Sequence, residues 1–370
     1  MTRVLITGGA GFIGSHAAAA LLDAGYEVRL LDNLSPQVHG PHRQRPSYLP
    51  DDAELIVGDV TDAVAVDRAL RGADMVLHLA ASVGVGQSMY DIAAYVQTNE
   101  VGTATLLQAL VRRSVARLVV ASSMSIYGEG ACRSAEGDAV APGERLIEQL
   151  RRADWELHDA RGRPLEPIPT SETKQPSLSS IYALNKYAQE RMCLVIGNAY
   201  RIPTVALRFF NVYGPHQALS NPYTGVLAIF AARLLNRRPP LVFEDGLQRR
   251  DFVHVHDVAR ACLLALQTRH TNDVFNVGSG ESRTILSVAH DLARVMGRPE
   301  FHPTITGKYR AGDIRHCFAD IEKSHSRLGF EPRIGFDDGL EELARYLADQ
   351  IADDQAERAT RELLQRGLVA

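Results

Sequence analysis

Cysteine is scarce in this chain. There are four in 370 residues, Cys132, Cys193, Cys262 and Cys317, and none has C-x-x-C spacing. That suggests neither a disulfide framework nor a zinc site, so a reducing cytoplasmic setting is expected, with secretion and two disulfides as the alternative. No apolar run reaches the roughly 18 residues of a membrane span. The N-terminal stretch Met1-Thr2-Arg3-Val4-Leu5-Ile6-Thr7 meets glycines before a signal-like segment can form. Charge of neither sign dominates: 40 basic and 44 acidic residues leave a net charge of −4, which disfavours nucleic acid as a partner. Lysine is nearly missing, with Lys174, Lys186, Lys308 and Lys323 set against 36 arginines. Where arginine is the default cation, a lysine marks a place that needs a compact ammonium.

What is present is an ordinary globular composition, 45% hydrophobic and 23% charged, with 29 glycines and 17 prolines. It suffices for one large or two modest domains. Strands are expected at Val4–Thr7, Glu27–Asp32, Glu54–Val57, Met75–Leu79 and Arg117–Ala121, with helices from Phe12 to about Ala24 and over Ile92–Arg113. Short apolar runs between helices read as parallel strands buried on both faces. The repeated βαβ pattern predicts an α/β fold with a Rossmann-type doubly wound sheet.

Residues 129–176 break this rhythm. Rich in Gly, Pro, Ser and charge, with one helical stretch near Glu144–Ala153, they read as an insertion. Regularity resumes with a helix at Ile181–Tyr200 and a strand at Thr204–Phe209. The remainder mixes helices (Thr224–Asn236, His256–Leu266, Thr284–Met296) with short strands (Leu241–Phe243, Phe252–His254, Asp273–Val277), and from Asp337 on it reads as helix. These patterns predict a first domain at 1–208 and a smaller α+β substrate domain at 209–348, with 252–277 partly returning to the first. A helical tail is expected at 349–370.

Gly8, Gly11 and Gly14 give G-x-x-G-x-x-G between the first strand and the first helix. The first glycine permits a tight turn, the second lets backbone approach a pyrophosphate, and the third lets helix and strand pack closely. The helix N-terminus then faces the phosphates. Asp32 ends the second strand 18 residues after Gly14. A carboxylate there accepts ribose hydroxyls and repels a 2′-phosphate, which favours NAD over NADP.

Tyr182 and Lys186 stand four apart on a predicted helix, so both share one face. An ammonium near a phenol lowers its pKa from about 10, and bringing it near 7 takes roughly 4 kcal/mol. Such a tyrosine serves as a general base at neutral pH. Ser122-Ser123-Met124-Ser125 lies at the carboxyl end of the fifth strand, where doubly wound sheets bind ligands. A hydroxyl there can bond the substrate oxygen that Tyr182 deprotonates.

Together these residues resemble the extended short-chain dehydrogenase/reductase family, its nucleotide-sugar epimerases and dehydratases in particular. The blocks are TGGAGFIG (7–14), DNL (32–34), GDV (58–60), HLAA (78–81), TNEVGT (98–103), SSMSIYG (122–128), YALNK (182–186), RFFNVYGP (208–215), RRDFVHVHDVA (249–259), NVGSG (276–280) and RAGDIR (310–315), spread over nearly all of residues 1–348. The resemblance implies Ser123, Tyr182 and Lys186 as the catalytic triad. It implies NAD held by Gly8, Gly11, Phe12, Ile13 and Gly14, by Asp32 and Asn33, and by Asp59 and Val60 at the adenine. Leu79, Ala80, Ala81, Asn99, Ser122 and Phe209, with Tyr182 and Lys186, would complete the cofactor site. Ser123, Asn211, Val226, Arg250, Arg310 and Asp313 would bind the nucleotide-diphosphate sugar, and arginine forks suit its pyrophosphate.

His254 and His256 form H-x-H, but no third ligand is apparent nearby and the family uses no metal there, so hydrogen bonding is expected and no metal. The family's 4,6-dehydratases carry Asp-Glu directly after the catalytic Ser/Thr, where this chain has Met124 and Ser125. Neither is an acid, so dehydration is disfavoured and transient oxidation at C4 remains. The insertion, with Trp155-Glu156 and the run Pro167-Ile168-Pro169-Thr170-Ser171-Glu172, and the segment 218–236 resemble the bacterial dTDP-L-rhamnose 4-epimerase subgroup. This implies interconversion of dTDP-L-rhamnose and dTDP-6-deoxy-L-talose. The alternatives are a UDP-hexose or UDP-hexuronate 4-epimerase, a nucleotide-4-ketosugar reductase, and an NAD-binding scaffold without catalysis. Helices 92–113 and 181–200 correspond to those that pair in family dimers, so a homodimer is expected.

Overall fold

The structure, a computed structural model, describes residues 1–223, 225–310 and 312–370. Among the described residues its centre is a parallel sheet of seven strands: β1 (Arg3–Thr7), β2 (Glu27–Asp32), β3 (Glu54–Val57), β4 (Met75–His78), β5 (Arg117–Ser123), β6 (Thr204–Phe209) and β7 (Asp273–Val277). Their order is β3-β2-β1-β4-β5-β6-β7. The chain winds outward from β1 to β3, then crosses back to β4 and winds the other way. That reversal opens a crevice at the carboxyl ends of β1 and β4, where such sheets bind ligands.

The longer helices among the described residues are α1 (Phe12–Asp23), α2 (Ala63–Ala69), α3 (92–112), α4 (Ile181–Tyr200), α5 (Val226–Leu235), α6 (Val255–Gln267), α7 (Ile285–Val295), α8 (Phe336–Leu347) and α9 (Ala356–Gln365). Every residue of β5 and β6 is buried, because the sheet is covered on both sides. Val119, Ala121, Val205 and Leu207 meet α1 and α6 on one face. Leu118, Val120 and Ala206, one residue out of phase, meet α2, α3 and α4 on the other. This two-residue alternation explains why the strands read as unbroken apolar runs. A separate core joins α5, α7 and α8 through Leu227, Phe230, Leu292, Phe336, Leu340 and Leu343.

Three elements depart from the sequence expectation. The helix over 92–112 contains a π-helical turn at Gln97–Val101, which turns buried Asn99 toward the loop after β4. The helix in the insertion shrinks to Ile147–Arg151, because Arg145 is drawn into buried ion pairs with Glu129 (3.3 Å) and Glu244 (2.9 Å). The C-terminal helix is not continuous. Between α8 and α9 the chain ties itself to the end of α5, where Asp354 pairs with Arg233 and Arg238 at 3.3 Å and Asn236 Nδ2 donates to the Ala352 carbonyl at 2.8 Å. Thr224, the expected first residue of α5, and Ala311 of the 310–315 block lie outside the described residues.

The insertion is ordered, with Cys132–Arg133 paired antiparallel to Ala139–Val140 and to Glu166–Pro167 over a small core of Cys132, Leu157 and Leu165. All four cysteines are buried free thiols. No helix among the described residues is long and apolar enough to cross a membrane.

Candidate active site

The glycine loop closes over the carboxyl end of β1. Gly8 has φ +68°, and a Cβ there would lie 2.8 Å from the Ala80 nitrogen, so only glycine serves. A Cβ on Gly14 would lie 2.4 Å from the Gly8 carbonyl, which confirms the close packing expected of the third glycine. Gly9, outside the three-glycine spacing, is equally constrained: its Cβ would sit 2.7 Å from Leu30. Gly11 caps α1 with no side-chain acceptor, so the first-turn N–H groups have no side-chain partner and suit an anion. Asp32 accepts from the Ala10 N–H (3.0 Å) and the Leu34 N–H (2.9 Å). A carboxylate has about four acceptor sites, so it can bracket the loop and still take ribose hydroxyls. This cradle fits NAD: it leaves no room for a Cβ at Gly8 or Gly14 and places a buried carboxylate at the end of β2.

Around it, Asn33 Nδ2 donates to Asp59 (2.8 Å), and Asp59 also accepts from the Thr61 N–H and hydroxyl. Burial works to raise the Asp59 carboxyl, but these bonds outweigh it and hold it below its ordinary value. Val60 and Phe209 are buried, while Phe12, Ile13, Leu79, Ala80 and Ala81 are half-exposed along the crevice. Asn99 fastens the loop after β4, accepting from the Ser82 N–H (2.7 Å) and donating to the Ser82 carbonyl (3.1 Å). Ser122 is buried at the end of β5. Its hydroxyl turns away and donates to Glu190 (2.7 Å), joining a buried network in which Arg208 forks onto Glu190 at 2.7 and 2.9 Å.

Ser123 ends β5 and caps the following turn, accepting from the Ser125 N–H at 3.2 Å and from the Ser125 hydroxyl at 2.9 Å. Tyr182 opens α4, which Ser180 caps by accepting from the Ala183 N–H (3.1 Å). The Tyr182 N–H also donates to the Ser88 hydroxyl (3.0 Å). Burial raises the Tyr182 phenol, and a hydrogen bond with the Ser123 hydroxyl works to lower it. The phenol is therefore raised rather than lowered, contrary to what the i, i+4 spacing with Lys186 suggests. Burial dominates at Tyr182, and the Lys186 ammonium is engaged by Gln189 Oε1 at 2.8 Å. Burial also pushes Lys186 itself from 10.5 down to about 8.

Gln189 was not apparent from sequence, although it follows Lys186 by three residues on the same helix face. Its amide donates to Thr103 (2.8 Å). Thr103 meets His78 Nε2 at 2.9 Å, and His78 Nδ1 meets the Thr7 hydroxyl at 2.6 Å. Burial lowers His78 to about 3, so this imidazole is neutral and the relay under Lys186 carries no second charge.

On the other side of the crevice, Asn211 has a buried side-chain oxygen with no partner among the described residues. Arg310 stacks its guanidinium 4.4 Å from the Phe243 ring centre, and its buried Nε likewise has no partner among them. Arg250 is less free than expected. It donates to the carbonyls of Arg315 (2.9 Å) and Ile314 and lies 4.0 Å from Asp313. Val226 begins α5 and packs against its core. The segment carrying Arg310 and Asp313 is joined to the catalytic side, since Ser179, three residues before Tyr182, donates to the Gly312 carbonyl (3.2 Å). Met124, beside Ser123, packs with Phe210 and Ile314.

His254 and His256 do acquire a third neighbour that sequence did not show. Glu342, from α8, approaches their Nε2 atoms at 3.7 and 3.9 Å. His254 Nδ1 accepts from the His256 N–H (3.4 Å), which places its proton on Nε2, facing the carboxylate.

The model of the NAD dependent epimerase/dehydratase family matches residues 4–278. A dTDP-L-rhamnose 4-epimerase of Burkholderia thailandensis is 37% identical over 94% of this chain and 96% of its own length. The UDP-glucose 4-epimerase of Thermotoga maritima, solved with UDP-glucose, superposes with a TM-score of 0.77 at 30% identity, covering 94% of this chain and 99% of that one. The UDP-glucose 4-epimerase of Thermus thermophilus, solved with NAD, gives a TM-score of 0.75 at 32% identity over 95% of this chain and 100% of that one.

Proposed function

This chain belongs to the NAD dependent epimerase/dehydratase family, and from that premise we propose that it is a nucleotide-sugar 4-epimerase acting on dTDP-L-rhamnose and dTDP-6-deoxy-L-talose. The observation that carries the reading is the glycine cradle that fits NAD, with Ser123 at the end of β5 and Tyr182 in the first turn of α4, four residues before buried Lys186. NAD, which the glycine cradle and Asp32 would hold, would supply the hydride acceptor and donor for C4. Tyr182 takes the proton of the C4 hydroxyl and returns it to the same oxygen once C4 has been reduced from its opposite face. Ser123 bonds the same oxygen and holds it in line with the phenol. Lys186 supplies positive charge one helical turn below Tyr182 and offers donors to a ribose. Arg310 binds the nucleotide diphosphate through Nε, a donor that has no protein partner among the described residues, and the unpartnered Asn211 Oδ1 accepts from a hydroxyl or N–H of the substrate. Met124 is packed in an apolar cluster and the Ser125 hydroxyl is bonded to Ser123, so no acid stands where elimination at C6 would need one.

Purified protein incubated with NAD and dTDP-L-rhamnose should yield the C4 epimer by NMR. Turnover of UDP-glucose with none of dTDP-L-rhamnose would instead establish the UDP-hexose reading, which the likeness to UDP-glucose 4-epimerases supports. A homodimer is also part of this reading. Ile92 and Val101 on α3, and Leu184 and Val195 on α4, are exposed apolar side chains on neighbouring helices, and light scattering should give twice the chain mass. Buried free thiols and the lack of a membrane-spanning helix among the described residues support a cytoplasmic location.

A further inference from the structure

We propose that the C-terminal segment 356–370 is part of the substrate site: it straps the crevice and fixes the position of Arg310 by pairing with the backbone beside it. Val369 forms an antiparallel bridge with Arg310. The Tyr309 N–H donates to the Ala370 carbonyl (2.9 Å), and the Ala370 N–H donates to the Tyr309 carbonyl (3.1 Å). On its other side the same stretch is held by the insertion. Trp155 packs on Tyr309 with ring centres 6.2 Å apart, and Arg145 donates to the Asp313 carbonyl at 2.9 Å. The insertion 129–176 and the tail therefore converge on Tyr309, Arg310 and Asp313.

The strap reaches the catalytic side as well. Leu363 is buried and lies 3.4 Å from the position a Cβ on Gly86 would take. Arg366 stacks 4.2 Å from the Tyr90 ring centre. Glu362 accepts from the Tyr223 hydroxyl (3.2 Å), which in turn accepts from Tyr90 (2.7 Å). Gly86 and Tyr90 flank Ser88, whose hydroxyl holds the Tyr182 N–H. One segment thus touches both the loop under the reacting end and the residue facing the diphosphate.

The physical need is plain. A long side chain binds an anion tightly only if its main chain and ring-stacked plane are already ordered, since ordering on binding is subtracted from affinity. Arg310 is followed by glycine at position 312, and its own pairing partners are the strap on one side and Phe243 beneath it. Val369 and Ala370 are accordingly positioning residues that act through Arg310.

The inference rests on the reading of Arg310 as a diphosphate ligand, and the experiment separates the two. Free dTDP is titrated calorimetrically into the NAD-loaded parent, Arg310→Ala, a chain lacking Leu368, Val369 and Ala370, and Ala370→Pro. The proline variant removes one N–H donor and leaves α9 whole, so it serves even if the shortened chain does not fold. The shortened chain and Ala370→Pro should bind dTDP about tenfold more weakly and raise KM about as much, with kcat at saturation unchanged, the pattern of lost uniform binding. Unchanged dTDP affinity in both strap variants while Arg310→Ala loses it overturns the strap alone. Unchanged affinity in Arg310→Ala overturns the diphosphate reading. A fall in kcat at constant KM would also contradict a positioning role.

Discussion

Replacing Lys186 by methionine should stabilise the cofactor-free protein while abolishing its catalysis. The ammonium is buried, with only 3% of the residue exposed, and its pKa falls from 10.5 to about 8. At 1.36 kcal/mol per pKa unit the charged form carries a burden of about 3 kcal/mol at pH 7. Methionine fills the same volume without charge, but Gln189 Oε1 loses its donor, which returns about 1 kcal/mol. A net gain of about 2 kcal/mol is expected in urea unfolding at pH 7. The sign with pH follows from the depressed value. Between about 8 and 10.5 the unfolded chain binds more protons than the folded one, so the parent gains stability as pH rises through that window and the gap to the variant closes. A variant less stable than the parent at pH 7, or a gap that does not change from pH 7 to 10, would refute the reasoning.

Other substitutions test separate parts of the site. Glu190→Ala leaves the Arg208 guanidinium buried and unpaired (the two side chains are 1% and 6% exposed), so unfolding free energy should drop by about 3–5 kcal/mol; a loss under about 1 kcal/mol by urea titration argues against a buried pair. Gly14→Ala drives a methyl toward the Gly8 carbonyl and should weaken NAD at least tenfold, about 1.4 kcal/mol, in a fluorescence titration. Tyr182→Phe should lower kcat by about 10²–10⁴-fold with the fold and NAD binding intact, whereas activity near that of the parent would remove the assigned base.

Local signals in the sequence carried far, and long-range ones did not. The bounds of β2, β3, β6, β7 and α4 agree with the apolar runs and periodicity that announce them. The glycine cradle and the Tyr182–Ser123 pair were legible because each depends on spacing and on strand ends. The π-helical turn at Asn99 was not, since it shifts the hydrogen-bond ladder of a helix without altering its apolar face. Gln189 could have been found from its i+3 place after Lys186, but its partners Thr103 and His78 lie 86 and 111 residues away. Glu342 beside the two histidines, the commitment of Ser122 to Glu190, and the landing of Val369 on Arg310 all join residues distant in sequence. No periodicity encodes those meetings. The lysine count did point to its target, but the ammonium's nearest partner is an amide rather than the phenol.

The central claim is that hydride leaves C4 and returns to C4 within one site while Tyr182 carries the proton. NMR of dTDP-L-rhamnose deuterated at C4, incubated with the protein and NAD in ordinary water, tests it most directly. The account predicts a C4 epimer that retains the deuterium at C4. Washout of the label from that epimer, or no epimer at all, would contradict it.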